Sequence, residues 1–257
     1  MSRCILKTEG IRKNFGGVVA VKDFSFEIDE GQIIAIIGPN GAGKTTIFNL
    51  VSKIYELDAG KISLCGADIT KKSQIEVARM GISRTFQNAR LFTGLSVLDN
   101  VRVALDFAGK YSLIEAMLLL PRRWKTERET TRRAMDCLEL LNLDRYAGQR
   151  PANLPYGIQR RVEIARALVS NPKVLMLDEP AAGLNPEELF QLMDFLREIR
   201  AKYPQLAMLI IEHRMDLVMS ISDYIYVQDF GETIAQGVAC EIQNDPLVLK
   251  AYLGEEE

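Results

Sequence analysis

The stretch Ile33-Ile34-Ala35-Ile36-Ile37-Gly38-Pro39-Asn40-Gly41-Ala42-Gly43-Lys44-Thr45-Thr46 decides the fold class. A continuous apolar run, as expected of a strand covered on both faces, enters a glycine-rich turn, and the amphipathic segment Ile47-Phe48-Asn49-Leu50-Val51 leaves it. The turn fits G-x-x-x-x-G-K-[ST] in the strand–loop–helix context that this pattern requires. Three glycines let the backbone wrap a phosphate closely, and successive N–H groups at a helix N-terminus hold the negative charge. On this reading Gly38, Pro39, Asn40, Gly41, Ala42, Gly43, Lys44, Thr45 and Thr46 bind a nucleoside triphosphate. Lys44 reaches the β- and γ-phosphates, and the Thr45 hydroxyl ligates Mg2+. A chance glycine-rich turn would leave the flanking strand and helix unexplained.

Outward from this stretch, Val174-Leu175-Met176-Leu177 and Ala207-Met208-Leu209-Ile210-Ile211 repeat the buried-strand pattern. A helix starts at Pro186 behind Asn185 as N-cap, with Leu189, Leu192, Met193, Leu196 and Ile199 on one face. Strands alternating with helices predict an α/β fold with a mostly parallel sheet. The second strand ends in Asp178-Glu179-Pro180, and Asp178 lies 134 residues beyond Lys44. An acidic residue at the carboxyl end of a buried strand suits the second metal contact, and Glu179 suits taking a proton from, or orienting, the attacking water. The only histidine, His213, follows the third strand. A lone histidine is usually structural or exposed. In a parallel sheet this one shares an edge with the phosphate loop and Asp178, which suits contact with the γ-phosphate.

The 257 residues carry 32 basic and 34 acidic side chains, a net charge of −2, with 47% apolar and 26% charged residues. That composition excludes collagen, coiled coil and a disordered tail, and it lacks the basic excess of a nucleic-acid binder. Cys4, Cys65, Cys137 and Cys240 are dispersed and read as small buried hydrophobes of a reducing compartment. The first ten residues break into charge before any signal-peptide core forms, and no window approaches a membrane span. A cytosolic chain is expected. From 88 to 165 the pattern is helical, and the run Ser112–Leu120 reads as a core helix. Arg122, Arg123, Lys125, Arg128, Arg132 and Arg133 read as a solvated helix face more readily than as a lipid-headgroup contact. The expected layout is an α/β core from 1–87 and 166–257, interrupted by a helical subdomain over 88–165.

These features resemble the nucleotide-binding subunits of ATP-binding-cassette transporters, over essentially the whole chain. Gln87 in Arg84-Thr85-Phe86-Gln87-Asn88 is similar to the family's Q-loop glutamine, which touches Mg2+. Leu154-Pro155-Tyr156-Gly157-Ile158 occupies the place of the signature, and Ala182-Gly183-Leu184-Asn185 that of the D-loop. Phe15, 23 residues before Gly38, stands where the family stacks an aromatic ring on adenine. The resemblance implies a P-loop ATPase core with an N-terminal antiparallel β element and a helical insertion. It implies ATP and Mg2+ as ligands, hydrolysis by Glu179, His213, Gln87 and Lys44, and Mg2+ contacts from Thr45, Gln87 and Asp178.

The segment Arg84-Thr85-Phe86-Gln87-Asn88, the segment 178–186 and the ending Ala251-Tyr252-Leu253-Gly254-Glu255 resemble the LivG-type subunits of branched-chain amino acid importers. Their plan implies a second ATPase subunit, two membrane permeases and, indirectly, a periplasmic solute-binding protein. It places the chain peripherally on the cytoplasmic face of the inner membrane, with an ATP-dependent homodimer of the isolated chain as a further expectation. Four departures stand out. Against L-S-G-G-Q, Pro155 replaces serine, Tyr156 the first glycine and Ile158 the glutamine, so the hydroxyl that meets a γ-phosphate across the dimer is missing. Gly157 and the helix N-terminus remain. Arg214 stands where the family often has aspartate. Because the signature acts in trans, the weakness falls on the partner's nucleotide. The same motifs also fit a cassette ATPase without a permease and the ATPase of a urea or amide importer.

Overall fold

The computed structural model describes residues 3–85, 91–106 and 121–253. The strands are β1 (Cys4–Phe15), β2 (Val18–Asp29), β3 (Ile33–Ile37), β4 (Ala59–Leu64), β5 (Ala67–Asp68), β6 (Ile82–Arg84), β7 (Val174–Asp178), β8 (Ala207–Ile211), β9 (Tyr224–Asp229) and β10 (Glu232–Gly237). The helices are α1 (Lys44–Val51), α2 (Gln74–Met80), α3 (Val97–Asp106), α4 (Pro121–Leu140), α5 (Tyr156–Leu168), α6 (Pro186–Lys202), α7 (Met215–Ile221), α8 (Ala239–Ile242) and α9 (Pro246–Leu253).

Two compact units divide the chain, Met1–Gln87 with Lys173–Glu257, and Asn88–Pro172. The expected return to the core at 166 would cut α5 (Tyr156–Leu168). The compact units divide instead after Pro172, beyond the end of that helix.

In the first unit, β3, β7 and β8 are buried at every position, as their unbroken apolar runs demand. Alternate side chains serve opposite faces of the sheet. Ile34 and Ile36 join Phe24, Phe26, Phe48 and Leu209 in one core. Ala35 and Ile37 join Val218, Ile225, Val227 and Ile242 in another. The six-stranded sheet runs β10-β9-β3-β8-β7-β6, parallel throughout except for the edge strand β10. A separate antiparallel sheet, β2-β1-β4-β5, supplies the N-terminal β element. Helix α6 begins as read. Asn185 Oδ1 accepts the Glu188 N–H at 2.9 Å, while the Glu188 carboxylate accepts the Asn185 N–H at 3.1 Å. Its apolar face is buried, with Phe195 added to the five residues expected.

Among the described residues of the second unit there is no strand, and α3, α4 and α5 pack together through Val97, Val101, Ala134, Leu138, Val162 and Ala165. Arg128, Arg132 and Arg133 are exposed, and Arg132 pairs with Glu129 at 3.0 Å and Asp136 at 3.7 Å, as a solvated face would. The segment Ser112–Leu120 lies outside the described residues. Only Cys137 of the four cysteines is fully buried. Cys4 and Cys65 are half-buried and Cys240 is exposed. No helix among the described residues is long and apolar enough to cross a membrane.

The reciprocal bonds at the start of α6 define a stability test. Asn185→Ala should lower the unfolding free energy by about 1 kcal/mol in a urea titration, whereas Asn185→Ser, which restores a capping oxygen, should recover most of it.

Candidate nucleotide site

Parallel register brings the site together. Ile36 of β3 and Asp178 of β7 both stand opposite Ile211 of β8. Neighbouring strands are about 4.8 Å apart, so the ends of β3 and β7 lie roughly 10 Å from each other with the end of β8 between them. The loop Gly38–Thr46, the pair Asp178-Glu179 and the pair Glu212-His213 therefore leave one edge of the sheet.

The loop's glycines have distinct jobs. Gly38 has φ +146°, and a Cβ there would sit 2.0 Å from the carbonyl oxygen of Gln228. Gly43 has φ +97°, and its Cβ would meet the Ala20 carbonyl oxygen at 2.3 Å. Gly41 has φ +84° with open space beside it. Two of the three are thus required by the protein's own backbone beneath the loop, and one by the turn alone. Ala42 is buried, its N–H donating to Pro39 O at 3.2 Å and its carbonyl accepting from Gly231 N at 3.2 Å. Asn40 and Thr45 are exposed, while Pro39 and Thr46 are half-buried.

Lys44 opens α1 and is buried, its Nζ donating to Gly38 O and Pro39 O, each at 2.7 Å. Burial holds its pKa below the usual lysine range, and the nearby charge of Glu179 opposes that shift. An ammonium has three N–H donors, so the two loop carbonyls do not exhaust it.

Asp178 ends β7 buried, with its Oδ2 2.6 Å from Arg84 Nη2. Arg84 also donates to Asn49 Oδ1 at 2.7 Å and Ser52 Oγ at 3.0 Å, and its guanidinium lies 5.5 Å from the Phe48 ring centroid. The Asp178 amide donates to Thr85 Oγ1 at 3.3 Å. With Oδ2 taken by Arg84, Oδ1 is the oxygen that suits a hard cation, together with the exposed Thr45 hydroxyl. An oxygen-only pair of this kind fits Mg2+.

Glu179 is half-buried and takes φ +46°, a left-handed conformation that costs a non-glycine residue free energy. Its N–H donates to Ile211 O at 2.9 Å and its carbonyl accepts from Ala182 N at 3.1 Å. Beyond it Gly183 has φ +78°, Leu184 is buried with its N–H on Ala181 O at 3.2 Å, and Asn185 caps α6. The His213 side chain is half exposed, with Nδ1 3.9 Å from Glu212 Oε2. Phe15 ends β1 at 43% exposure, edge-on to Tyr55 at 5.2 Å, with Lys13 Nζ 5.5 Å from its ring centroid. Gln87 lies outside the described residues.

In the second unit, Leu154 is buried and Pro155 is the N-cap of α5 at φ −52° and ψ 147°, with no side-chain bond to the helix. Its carbonyl accepts from Ile158 N at 3.0 Å and Gln159 N at 3.1 Å, and Gln159 Nε2 donates to Leu154 O at 2.9 Å. Ile158 and Gly157 are half-buried. Tyr156, in place of a glycine, has the Arg160 guanidinium 5.2 Å from its ring centroid, and Arg160 pairs with buried Glu163 at 3.0 Å.

Sequence reasoning missed Arg84 and Glu212. For Glu212 the signal was a charged side chain directly after an all-apolar strand, which must find a partner there; Arg84 follows Ile82-Ser83 and carried no such signal.

Residues 21–182 match the ABC transporter family, and residues 232–257 match the family described as branched-chain amino acid ATP-binding cassette transporter. The chain is 44% identical, over 99% of its length and 100% of the relative, to the high-affinity branched-chain amino acid transport ATP-binding protein LivG of Salmonella typhimurium. To BraF of Pseudomonas aeruginosa, a protein of the same description, it is 42% identical over 99% of this chain and 100% of the relative. Among solved structures, a nucleotide-free ATP-binding cassette from an ABC transporter superposes with a TM-score of 0.85 at 35% identity, covering 98% of this chain and 100% of the other.

The glycine geometry separates strain from overlap. Gly41→Ala should cost about 1–2 kcal/mol in denaturant unfolding, the cost of a left-handed alanine alone. Gly43→Ala should cost more, because the Ala20 carbonyl must also move.

Proposed function

From the premise that this chain belongs to the ABC transporter family, we propose that it is the ATP-hydrolysing subunit of an importer, coupling MgATP binding and hydrolysis to uptake of branched-chain amino acids. The observation that carries this is the meeting of Lys44, Asp178, Glu179 and His213 at one edge of a parallel sheet. The cargo is carried over from the relatives' descriptions, which name branched-chain amino acid transport.

In this reading the amides of Gly38–Thr46 and the N-terminus of α1 hold the phosphates. Lys44 turns from its loop carbonyls toward the γ-phosphate, and Phe15 stacks on the base. Mg2+, held by Thr45 and Asp178, supplies charge neutralisation at the phosphate oxygens. Glu179 orients the attacking water or takes its proton, and His213 donates toward charge that builds on the γ-phosphate. The segment Ala182–Asn185 and the signature Leu154–Ile158 serve the partner cassette. Pro155 carries no hydroxyl, so that segment meets an anion through the N-terminus of α5. The partners are a second cassette subunit and two permeases, with a solute-binding protein acting on the permeases. The chain attaches peripherally to the cytoplasmic face of the membrane.

A tagged copy drawn from membranes in mild detergent should bring two multi-span proteins and a second cassette subunit. Recovery from the cytosol alone, or with soluble partners only, would overturn the transport assignment. In the assembled complex, Glu179→Gln should retain MgATP binding while turnover at this site falls by about 100-fold or more in a phosphate-release assay.

A further inference from the structure

Glu212 has no part in the chemistry above, yet among the described residues it is the most deeply buried carboxylate, with 0% of its surface exposed. It is the first residue after β8. Its Oε1 accepts the Ala181 N–H at 2.6 Å, and its Oε2 accepts the N–H groups of His213 at 3.0 Å and Arg214 at 3.2 Å. A buried carboxylate persists only where donors replace its water, and here three backbone amides do so. Those amides belong to two different loops. Ala181 stands two residues beyond Glu179 on the loop that leaves β7, while His213 and Arg214 lie on the loop that leaves β8. One side chain therefore ties both loops together.

The tie acts beside a second one. The Glu179 N–H donates to Ile211 O at 2.9 Å, so the turn at Glu179 is sewn to the end of β8 at its own amide and again at Ala181. Glu179 holds φ +46°, which persists only when its surroundings over-determine it. The bond to Glu212 is one of those determinants, and the same carboxylate fixes the backbone from which the His213 imidazole projects. We propose that Glu212 is a positioning residue for hydrolysis, whose carboxylate sets the placement of Glu179 relative to His213. The inference rests on the roles proposed above for those two residues.

The chain has a single histidine, so a protein labelled in its imidazole rings reports on His213 alone by NMR. Glu212→Gln keeps the shape but replaces one acceptor oxygen with a donor, so either Ala181 or the His213–Arg214 pair loses its acceptor. In the assembled complex its MgATP affinity should stay within a factor of about two, while kcat falls about 10- to 100-fold, the usual scale for misplacing a reacting group by an ångström or less. The imidazole resonances of the isolated full chain should move from their wild-type positions. Glu212→Asp, whose shorter stem cannot span both loops, should show the same split and serves if the first variant fails to fold. A kcat within twofold of wild type, loss of MgATP binding in parallel with kcat, or an unmoved imidazole signal would each overturn the proposal. His213→Ala, measured alongside, keeps the two readings apart. Full hydrolysis in that variant would overturn the role of His213 itself, whereas an inactive His213→Ala beside a fully active Glu212→Gln would overturn only the positioning role.

Discussion

The lateral pairing of β3, β8 and β7 in parallel register is the constraint on which the rest of the first unit depends. Parallel strands all end at the same edge, so three segments far apart in sequence emerge side by side. Ile211 of β8 faces Ile36 on one side and Asp178 on the other, which levels the ends of all three strands. A one-residue slip would turn each strand's side chains to the opposite face and bury the wrong set. The two cores, one built on Ile34 and Ile36 and the other on Ala35 and Ile37, make such a slip costly. Hydrophobic packing thus decides where the amides of the Gly38–Thr46 loop and the carboxylates of Asp178 and Glu179 stand.

Three charges are buried at that edge, and each is satisfied differently. Lys44 is held by two loop carbonyls, Asp178 by the Arg84 guanidinium, and Glu212 by backbone amides from two loops. Low-dielectric surroundings make each of these costly to disturb and therefore precise in placement. Arg84 reaches across 94 residues of sequence to Asp178 while also binding Asn49 and Ser52 around α1. One side chain thereby joins the helix behind the phosphate loop to the carboxylate suited to Mg2+.

The second unit shows how a departure from the family pattern is accommodated locally. Tyr156 opens α5, where the backbone takes a side chain without a left-handed φ, and its ring lies 5.2 Å from the Arg160 guanidinium, itself paired with buried Glu163 on the next turn. Pro155 suits the N-cap backbone, since its fixed φ matches the −52° found there, but it gives up the capping hydroxyl.

Strands β3, β7 and β8, the glycine-rich loop after β3, the N-cap at Asn185 and the placement of Asp178, Glu179 and His213 at strand ends were legible in the sequence. Each is written in local periodicity or in a short pattern whose chemistry is carried by adjacent residues. The reason for Gly38 and Gly43 was only half legible. Their left-handed turns follow from the loop, but the carbonyls of Gln228 and Ala20 that exclude a Cβ come from distant strands. The helical insertion is expected to end at 165 and the compact units divide after Pro172, because composition does not mark where a helix stops belonging to one unit and the next strand begins. Arg84 stood in a quoted motif without a role and Glu212 went unremarked, because Arg84 is paired with a carboxylate on another strand and Glu212 with backbone amides that include one from another strand's loop. The sequence by itself determined that β3, β7 and β8 are buried strands and that a glycine-rich loop joins β3 to α1, since those are properties of neighbouring residues. Only the tertiary structure decided which charges meet, because that depends on strand order and register, and hydrogen bonds are short, about 3 Å between heavy atoms.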